Sequence, residues 1–218
     1  MKVCTDACLF GALVADCTPP IANCLDIGTG TGLLSLMIAQ KDPLAKIDAV
    51  EIDEAAAGQA RQNFASSPWA ERLTVFNCDI LNFETGKKYD CIISNPPFFE
   101  DDLKSPNQTK NQAKHDTSLS LTDLLKVVGT QLTEEGSFAV LLPYHRVNYF
   151  IEEAERSGLH LNRKILVKQT TRHDLFRGIL FFGKIKKPLQ NTQIIIKDHE
   201  GKYTAAFTAA LKDYYLYL

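Results

Sequence analysis

The chain alternates short apolar runs, rich in β-branched residues, with longer stretches whose apolar positions recur at helical spacing. NCLDI at 23–27, KIDAVE at 46–51, RLTVFN at 72–77 and the run at 89–94 predict strands. The same patterning predicts helices over 6–16, 32–40, 54–65, 119–132 and 145–156, and a strand over 136–142. This alternation implies βαβ units around a mostly parallel sheet. LHLNRKILVKQ and RGILFFGKIK then follow as two long strands in succession, which predicts an antiparallel closing hairpin. QIIIKD is a candidate for one more short strand, and YTAAFTAALKDYY for a last helix. The expected fold is α/β and doubly wound, a mostly parallel seven-stranded sheet with an antiparallel last strand. No repeat, low-complexity tract or linker interrupts it, so one domain is expected over 1–218.

Composition narrows the classes. A chain of 218 residues with 45% hydrophobic content can bury a sizeable core. A net charge of −2 argues against a wholly basic nucleic-acid coat and leaves room for a local basic face. The cysteines at 4, 8, 17, 24, 78 and 91 form no C-x-x-C and meet no histidine at zinc-finger spacing. They read as small core residues in a reducing compartment, and no metal is expected. The apolar run from Ala7 to Ala15 resembles an export signal superficially, but Asp6 and Asp16 bracket it. It reads instead as a helix N-capped at Thr5 or Asp6. No uncharged run approaches the ~18 residues that span a bilayer, so a soluble cytoplasmic protein, with no membrane partner, is expected.

LDIGTGTG, Leu25 to Gly32, is a strand that runs into a glycine turn and then a helix. Gly28, Gly30 and Gly32 let the backbone approach a ligand closely; the bland alternative is a tight βα turn. The spacing is G-x-G-x-G, with Leu33 where a dinucleotide fingerprint needs its third glycine. Asp26, just before the turn, would sit badly beside a pyrophosphate and suits a ligand with a positive end. Glu51 closes the next strand and can take both hydroxyls of a ribose. Asp79 follows the third strand and can accept from an adenine amine. Three acids at successive carboxyl ends of a parallel sheet lie where such sheets bind ligands. S-adenosylmethionine, with its sulfonium, ammonium, ribose and adenine, fits that edge better than NAD.

The fourth strand runs into SNPPFF, Ser94 to Phe99. Prolines end a strand because they cannot donate to the ladder. They do not require an asparagine in front or aromatics behind. An Asx-Pro turn with core phenylalanines is the plain alternative. Together with the glycine turn, Glu51 and Asp79, the motif resembles the class I S-adenosylmethionine-dependent methyltransferases, a Rossmann-like fold. NPPF is similar to their amino-methyltransferase signature. That resemblance implies catalytic roles for Asn95, Pro96, Pro97 and Phe98. An amino group on a purine ring has its lone pair drawn into the ring. The Asn95 side-chain oxygen and the Pro96 carbonyl can accept its two hydrogens and free that lone pair. The prolines hold this geometry beforehand, and Phe98 can stack on the base.

MKVCTDACLFGALV, NPPFF with AKH beyond it, and KYTAAFTAALKDYYLYL extend the likeness over nearly the whole chain. They resemble bacterial tRNA adenine-N6 methyltransferases that modify the adenosine beside the anticodon of a valine tRNA. The resemblance implies that Thr5 and Asp6 lie by the cofactor's methionine end. It also places Ile52, Ile80 and Asn95 among the cofactor contacts. The family usually carries a short segment ahead of the motif at which Met1 stands. Either the start is trimmed or a piece of the cofactor lid is absent, which bears on affinity rather than on reaction class.

From Arg163 to Lys187 the chain carries eight basic residues and one acid, Asp174. Arg163, Lys168, Arg172 and Arg177 are candidates to track phosphates, unless these are simply solvated strand faces. The loop from Asn95 to about Thr117 adds Phe99, Lys110, Lys114 and His115 and is expected to close over a tRNA substrate. A monomer is expected. The same motif also serves methylation of release-factor glutamine, rRNA guanine and DNA adenine. A non-catalytic binding protein on this fold is the alternative from another class.

Overall fold

The computed structural model describes residues 4–16, 21–96 and 119–217. Helix α1 (Thr5–Ala15) leads into strand β1 (Asn23–Ile27), and α2 (Leu33–Lys41) connects that to β2 (Lys46–Glu51). Helix α3 (Glu54–Ala65) joins β2 to β3 (Leu73–Asn77), and β4 (Tyr89–Ser94) follows. Beyond residue 118 come α4 (Leu121–Gln131), β5 (Leu132–Pro143), α5 (Val147–Arg156) and β6 (His160–Thr170). Strands β7 (Leu175–Gly183) and β8 (Gln190–Lys197) and helix α6 (Ala205–Leu211) complete the described chain.

Caps account for several helix starts. Asp53 accepts from the Ala56 amide at 2.8 Å to open α3, and Ser120 accepts from Asp123 at 3.1 Å to open α4. Helix α1 departs from the expected cap. Its N-cap residue is Cys4, whose side chain does not cap the helix. Thr5 and Asp6 already lie inside the first turn, and Asp6 accepts from the Ala7 amide there at 3.1 Å.

The strands form one sheet in the order β3-β2-β1-β4-β5-β7-β6-β8. β7 runs antiparallel to both β5 and β6, as the closing hairpin predicts. Among the described residues the sheet has eight strands rather than seven. β8 adds to the edge in parallel with β6. Its first half, Gln190–Gln193, is polar and exposed, so backbone pairing with Arg163–Leu166 forms it where apolar alternation gives little signal.

Both faces are covered, and β1 and β4 are accordingly buried along almost their whole length. Phe10, Ile38, Phe64, Ile179 and Phe207 lie in the core between one face and α1, α2, α3 and α6. Leu124, Val128, Val147 and Phe150 of α4 and α5 pack on the other face with Ile92, Phe138 and Phe182. Cys8, Cys24 and Cys91 are buried, while Cys4 is exposed and Cys78 half-buried. Cys17 lies outside the described residues.

The second layer centres on three buried rings. Phe150 lies 6.3 Å from Phe138 and 5.7 Å from Phe182, centroid to centroid. Truncation there opens a cavity in a fully buried aromatic cluster. Phe150→Ala is expected to cost about 3–5 kcal/mol in urea unfolding, and Phe150→Leu markedly less. A loss for the alanine variant below about 1 kcal/mol would contradict this packing.

Candidate functional site

Strand register assembles the site. Ile27 at the end of β1 pairs with Val50 and with Ser94, and Glu51 pairs with Asn77. The segments after β1, β2, β3 and β4 therefore leave from one edge of the sheet. The strand order reverses between β1 and β4, which opens a crevice at that edge. Gly28, Gly30, Gly32, Glu51, Ile52, Asp79, Asn95 and Pro96 are all brought to this row. Asn95 is half-buried and Pro96 buried. Pro97, Phe98, Phe99, Lys110, Lys114, His115 and the expected substrate loop lie outside the described residues.

The turn after β1 needs its glycines. Gly28, Gly30 and Gly32 have φ of +72°, +58° and +86°, where side chains are disfavoured. At Gly32 a Cβ would also stand 2.4 Å from Phe64 Cε1. The turn is tied to β2 by the Gly28 and Thr29 amides, which donate to the Val50 carbonyl at 2.9 and 3.1 Å.

Asp26 anchors the turn from below. It has no solvent exposure. Its Oδ2 accepts from the hydroxyls of Thr29 at 2.6 Å and Ser35 at 2.7 Å, which links the turn to α2. Its Oδ1 has no hydrogen-bond partner among the described residues. Burial pushes its carboxyl up to about 6, against the pull of the two hydroxyls. Sequence reasoning missed Thr29 and Ser35; the available signal was two hydroxyls three and nine residues beyond a strand-end acid.

Glu51 clamps the turn from the side. Its Oε2 accepts from the Gly30 amide at 2.8 Å and its Oε1 from the Asp53 amide at 2.9 Å. Each carboxylate oxygen keeps a second lone pair for a ligand. Asn77 fixes the next step, donating to the carbonyls of Glu51 and Ile52 at 2.9 and 3.1 Å. Asp79 caps a short turn, accepting from the Leu81 amide at 2.9 Å. Ile80 is 6% exposed and packs into the core, whereas Ile52 and Leu81 are 52% and 51% exposed. Leu81, not singled out in the sequence, is thus the apolar side chain that stays open after β3.

Two residues read separately prove to be partners. Arg177 Nε donates to Asp6 Oδ2 at 2.7 Å, joining the first turn of α1 to β7. Arg177 is therefore bound into the protein rather than held out for phosphates alone. Thr5 shares a hydrogen bond with Tyr215 near the C-terminus.

The basic stretch is also divided by the fold. Arg163, near the start of β6, lies over the Phe181 ring at 5.1 Å. Lys184 donates to the Leu132 carbonyl at 2.9 Å. With Lys186 and Lys187 it follows the end of antiparallel β7, at the sheet edge opposite the glycine turn. Lys168 and the exposed Arg172 reach the carboxyl edge. Among the described residues, no group of three or more His, Cys, Asp or Glu could hold a metal ion, and no helix is long and apolar enough to cross a membrane.

Comparison with known proteins agrees with this geometry. The methyltransferase small domain family matches residues 9–142. A tRNA1(Val) (adenine(37)-N6)-methyltransferase of Cytophaga hutchinsonii is 42% identical, over 100% of this chain and 92% of its own length. One of Klebsiella pneumoniae is 39% identical, over 100% and 89%. Among solved structures, a predicted O-methyltransferase of Agrobacterium tumefaciens superposes with a TM-score of 0.72 at 16% identity, covering 95% of this chain and 96% of that one. The last likeness shows the fold alone.

Asp26 binds a proton more tightly folded than unfolded. Its contribution to stability is fully present below its ordinary 3.8 and is lost as pH rises through about 6. Asp26→Asn is expected to remove a decline on the order of 1–3 kcal/mol between about pH 4 and 7, read as the difference from wild type in urea unfolding. Parallel pH profiles for the two proteins would show that this carboxyl titrates normally.

Proposed function

The chain belongs to the methyltransferase small domain family and to the tRNA1(Val) (adenine(37)-N6)-methyltransferases, and on that premise we infer that it methylates the 6-amino group of adenosine 37 in a valine tRNA, with S-adenosylmethionine as donor. The observation that carries the reading is the row of strand ends, which sets the glycine turn and its acids directly across the β1/β4 crevice from Asn95. The cofactor supplies a methyl group made electrophilic by a sulfonium, so no strong general base is required.

The residues present fit that cofactor. Asp26 offers a buried oxygen with no partner among the described residues, suited to the positively charged methionine end. Gly28, where nothing lies within 4 Å of a Cβ position, leaves room for close approach, and Gly30 and Gly32 hold the positive-φ turn around it. Glu51 would take the ribose hydroxyls, Asp79 the adenine amine, and Ile52 with Leu81 the ring, in place of Ile80, whose side chain is buried in the core. Thr5 and Asp6 would close the methionine end. On the substrate side, the Asn95 amide oxygen and the Pro96 carbonyl would accept the two hydrogens of the target amine. This holds the nitrogen lone pair toward the crevice, and one of these hydrogens leaves as a proton once the nitrogen is methylated. Pro97 would stiffen this segment and Phe98 would stack on the base. A tRNA substrate supports a cytoplasmic place of action, and we propose that one domain acts as a monomer.

The reaction is tested by incubation with methyl-labelled S-adenosylmethionine and unmodified total tRNA, followed by nucleoside mass spectrometry. 6-Methyladenosine in tRNA is expected. Label only in methylguanosine or in release-factor protein, run in parallel, would move the substrate elsewhere. Asn95→Ala is expected to lower kcat about 100- to 1000-fold, the scale of losing one preorganised polar contact. Calorimetry should show S-adenosylmethionine binding changed by no more than a few-fold. Turnover within a few-fold of wild type would remove Asn95 from the chemistry.

A further inference from the structure

A second ledge stands beside Asn95. Ser94 pairs with Val140, so β5 runs past the end of β4 through Leu141, Leu142 and Pro143. A one-turn 3-10 helix, Tyr144–Arg146, follows and opens directly into α5. Tyr144 and Tyr149 are 43% and 48% exposed there; among the described Phe, Tyr and Trp residues, Tyr217 is the other one left open to this degree. The Arg146 guanidinium lies over the Tyr149 ring at 5.0 Å, so charge and ring face are combined in one unit.

Two features hold this ledge at the site edge. Gly178 of β7 faces the first residue of α5: a Cβ there would meet Val147 Cγ2 at 2.4 Å. The bare glycine lets α5 start against the sheet. The β6–β7 hairpin rises alongside. Pro143 pairs with Arg177, which pairs with Val167, so residues 168–176 project beyond the row from which Tyr144 leaves. Arg172 and His173 are exposed at its tip, where His173 Nδ1 and Thr170 Oγ1 are 2.7 Å apart. At the tip, Lys168 and Arg172 stand against one acid, Asp174. The acids of α5 begin at Glu152, further along the helix, and Glu152 and Glu153 pair with Arg156.

Open aromatic faces interleaved with cations suit unpaired nucleotides, since every base has a π-face and every linkage a negative charge. We propose that Tyr144, Tyr149 and Arg146 form a stacking platform for the nucleotides that flank the target adenosine in the anticodon loop, with Arg172 on a neighbouring phosphate. The platform rests on the tRNA reading above and extends the site beyond the residues that touch the reacting amine.

The test uses an anticodon stem-loop RNA and three variants of the full chain. For Tyr144→Ala/Tyr149→Ala, KM for the RNA is expected to rise about 10-fold or more while kcat stays within about 3-fold. The Tyr144→Phe/Tyr149→Phe protein keeps both rings and should recover the wild-type KM. Arg172→Ala should weaken binding and flatten its salt dependence. A 2-aminopurine placed next to the target adenosine should be quenched on binding wild type and the Phe protein, and not on binding the Ala protein. Unchanged KM and quenching in the Ala protein would overturn the platform. If wild type makes no 6-methyladenosine in any tRNA, the reaction reading fails on its own. Stem-loop affinity then judges the platform, which stands only if the Ala protein loses it.

Discussion

The buried carboxylate of Asp26 is the constraint around which the site is built. A carboxylate with no solvent exposure is costly unless it is hydrogen-bonded. Thr29 and Ser35 meet that need on one oxygen, and in doing so they bind the glycine turn to the start of α2. The turn must then curl tightly over Asp26, which is why three of its residues have positive φ. Glu51 holds the same turn from β2 through the Gly30 amide. The turn is thus held from beneath and from the side by the protein's own groups. Among the described residues Asp26 Oδ1 has no partner, and in the reading proposed above a cationic ligand end completes it.

Register carries this local arrangement into a site with two sides. Ile27 shares its row with both Val50 and Ser94, so whatever follows β4 must face whatever follows β1. No side chain needs to reach across the sheet for Asn95 to stand opposite the glycine turn. The longer strands β5, β6 and β7 continue past that row and build a wall on one flank, with Tyr144 and the hairpin tip on it. The Asp6–Arg177 pair ties α1 to the same wall. A modest ion pair in energy, it sets the position of the first helix at the edge of the crevice.

Much of this was readable in the sequence because it rests on local chemistry. LDIGTGTG announces strand, turn and helix through its glycines, and NPPF ends β4 through its prolines. The acids fall at strand ends that the apolar runs delimit. Other features depend on partners distant in the chain. Arg177 looks like one more cation in a basic stretch until Asp6, 171 residues away, is placed beside it. The stretch itself looks continuous, yet the reversal at β7 sends Lys184–Lys187 to the opposite edge. Strand β8 begins in polar residues that only pairing with β6 makes extended. The cap of α1 was misplaced because Asp6, a good capping type, is engaged by Arg177 and sits within the first turn. Ile80 and Leu81 are adjacent and both apolar, and only the turn capped by Asp79 decides which of them is buried.

In the function proposed, Asp26 Oδ1 is a prepared place for the positive end of S-adenosylmethionine. Isothermal calorimetry of that binding between about pH 5 and 7, in buffers of different ionisation enthalpy, tests it most directly. The account predicts proton release as the cation displaces the proton held near pH 6, with affinity weakening below that value, and neither effect in Asp26→Asn. Wild-type affinity that is flat over this range, with no proton released, would contradict it.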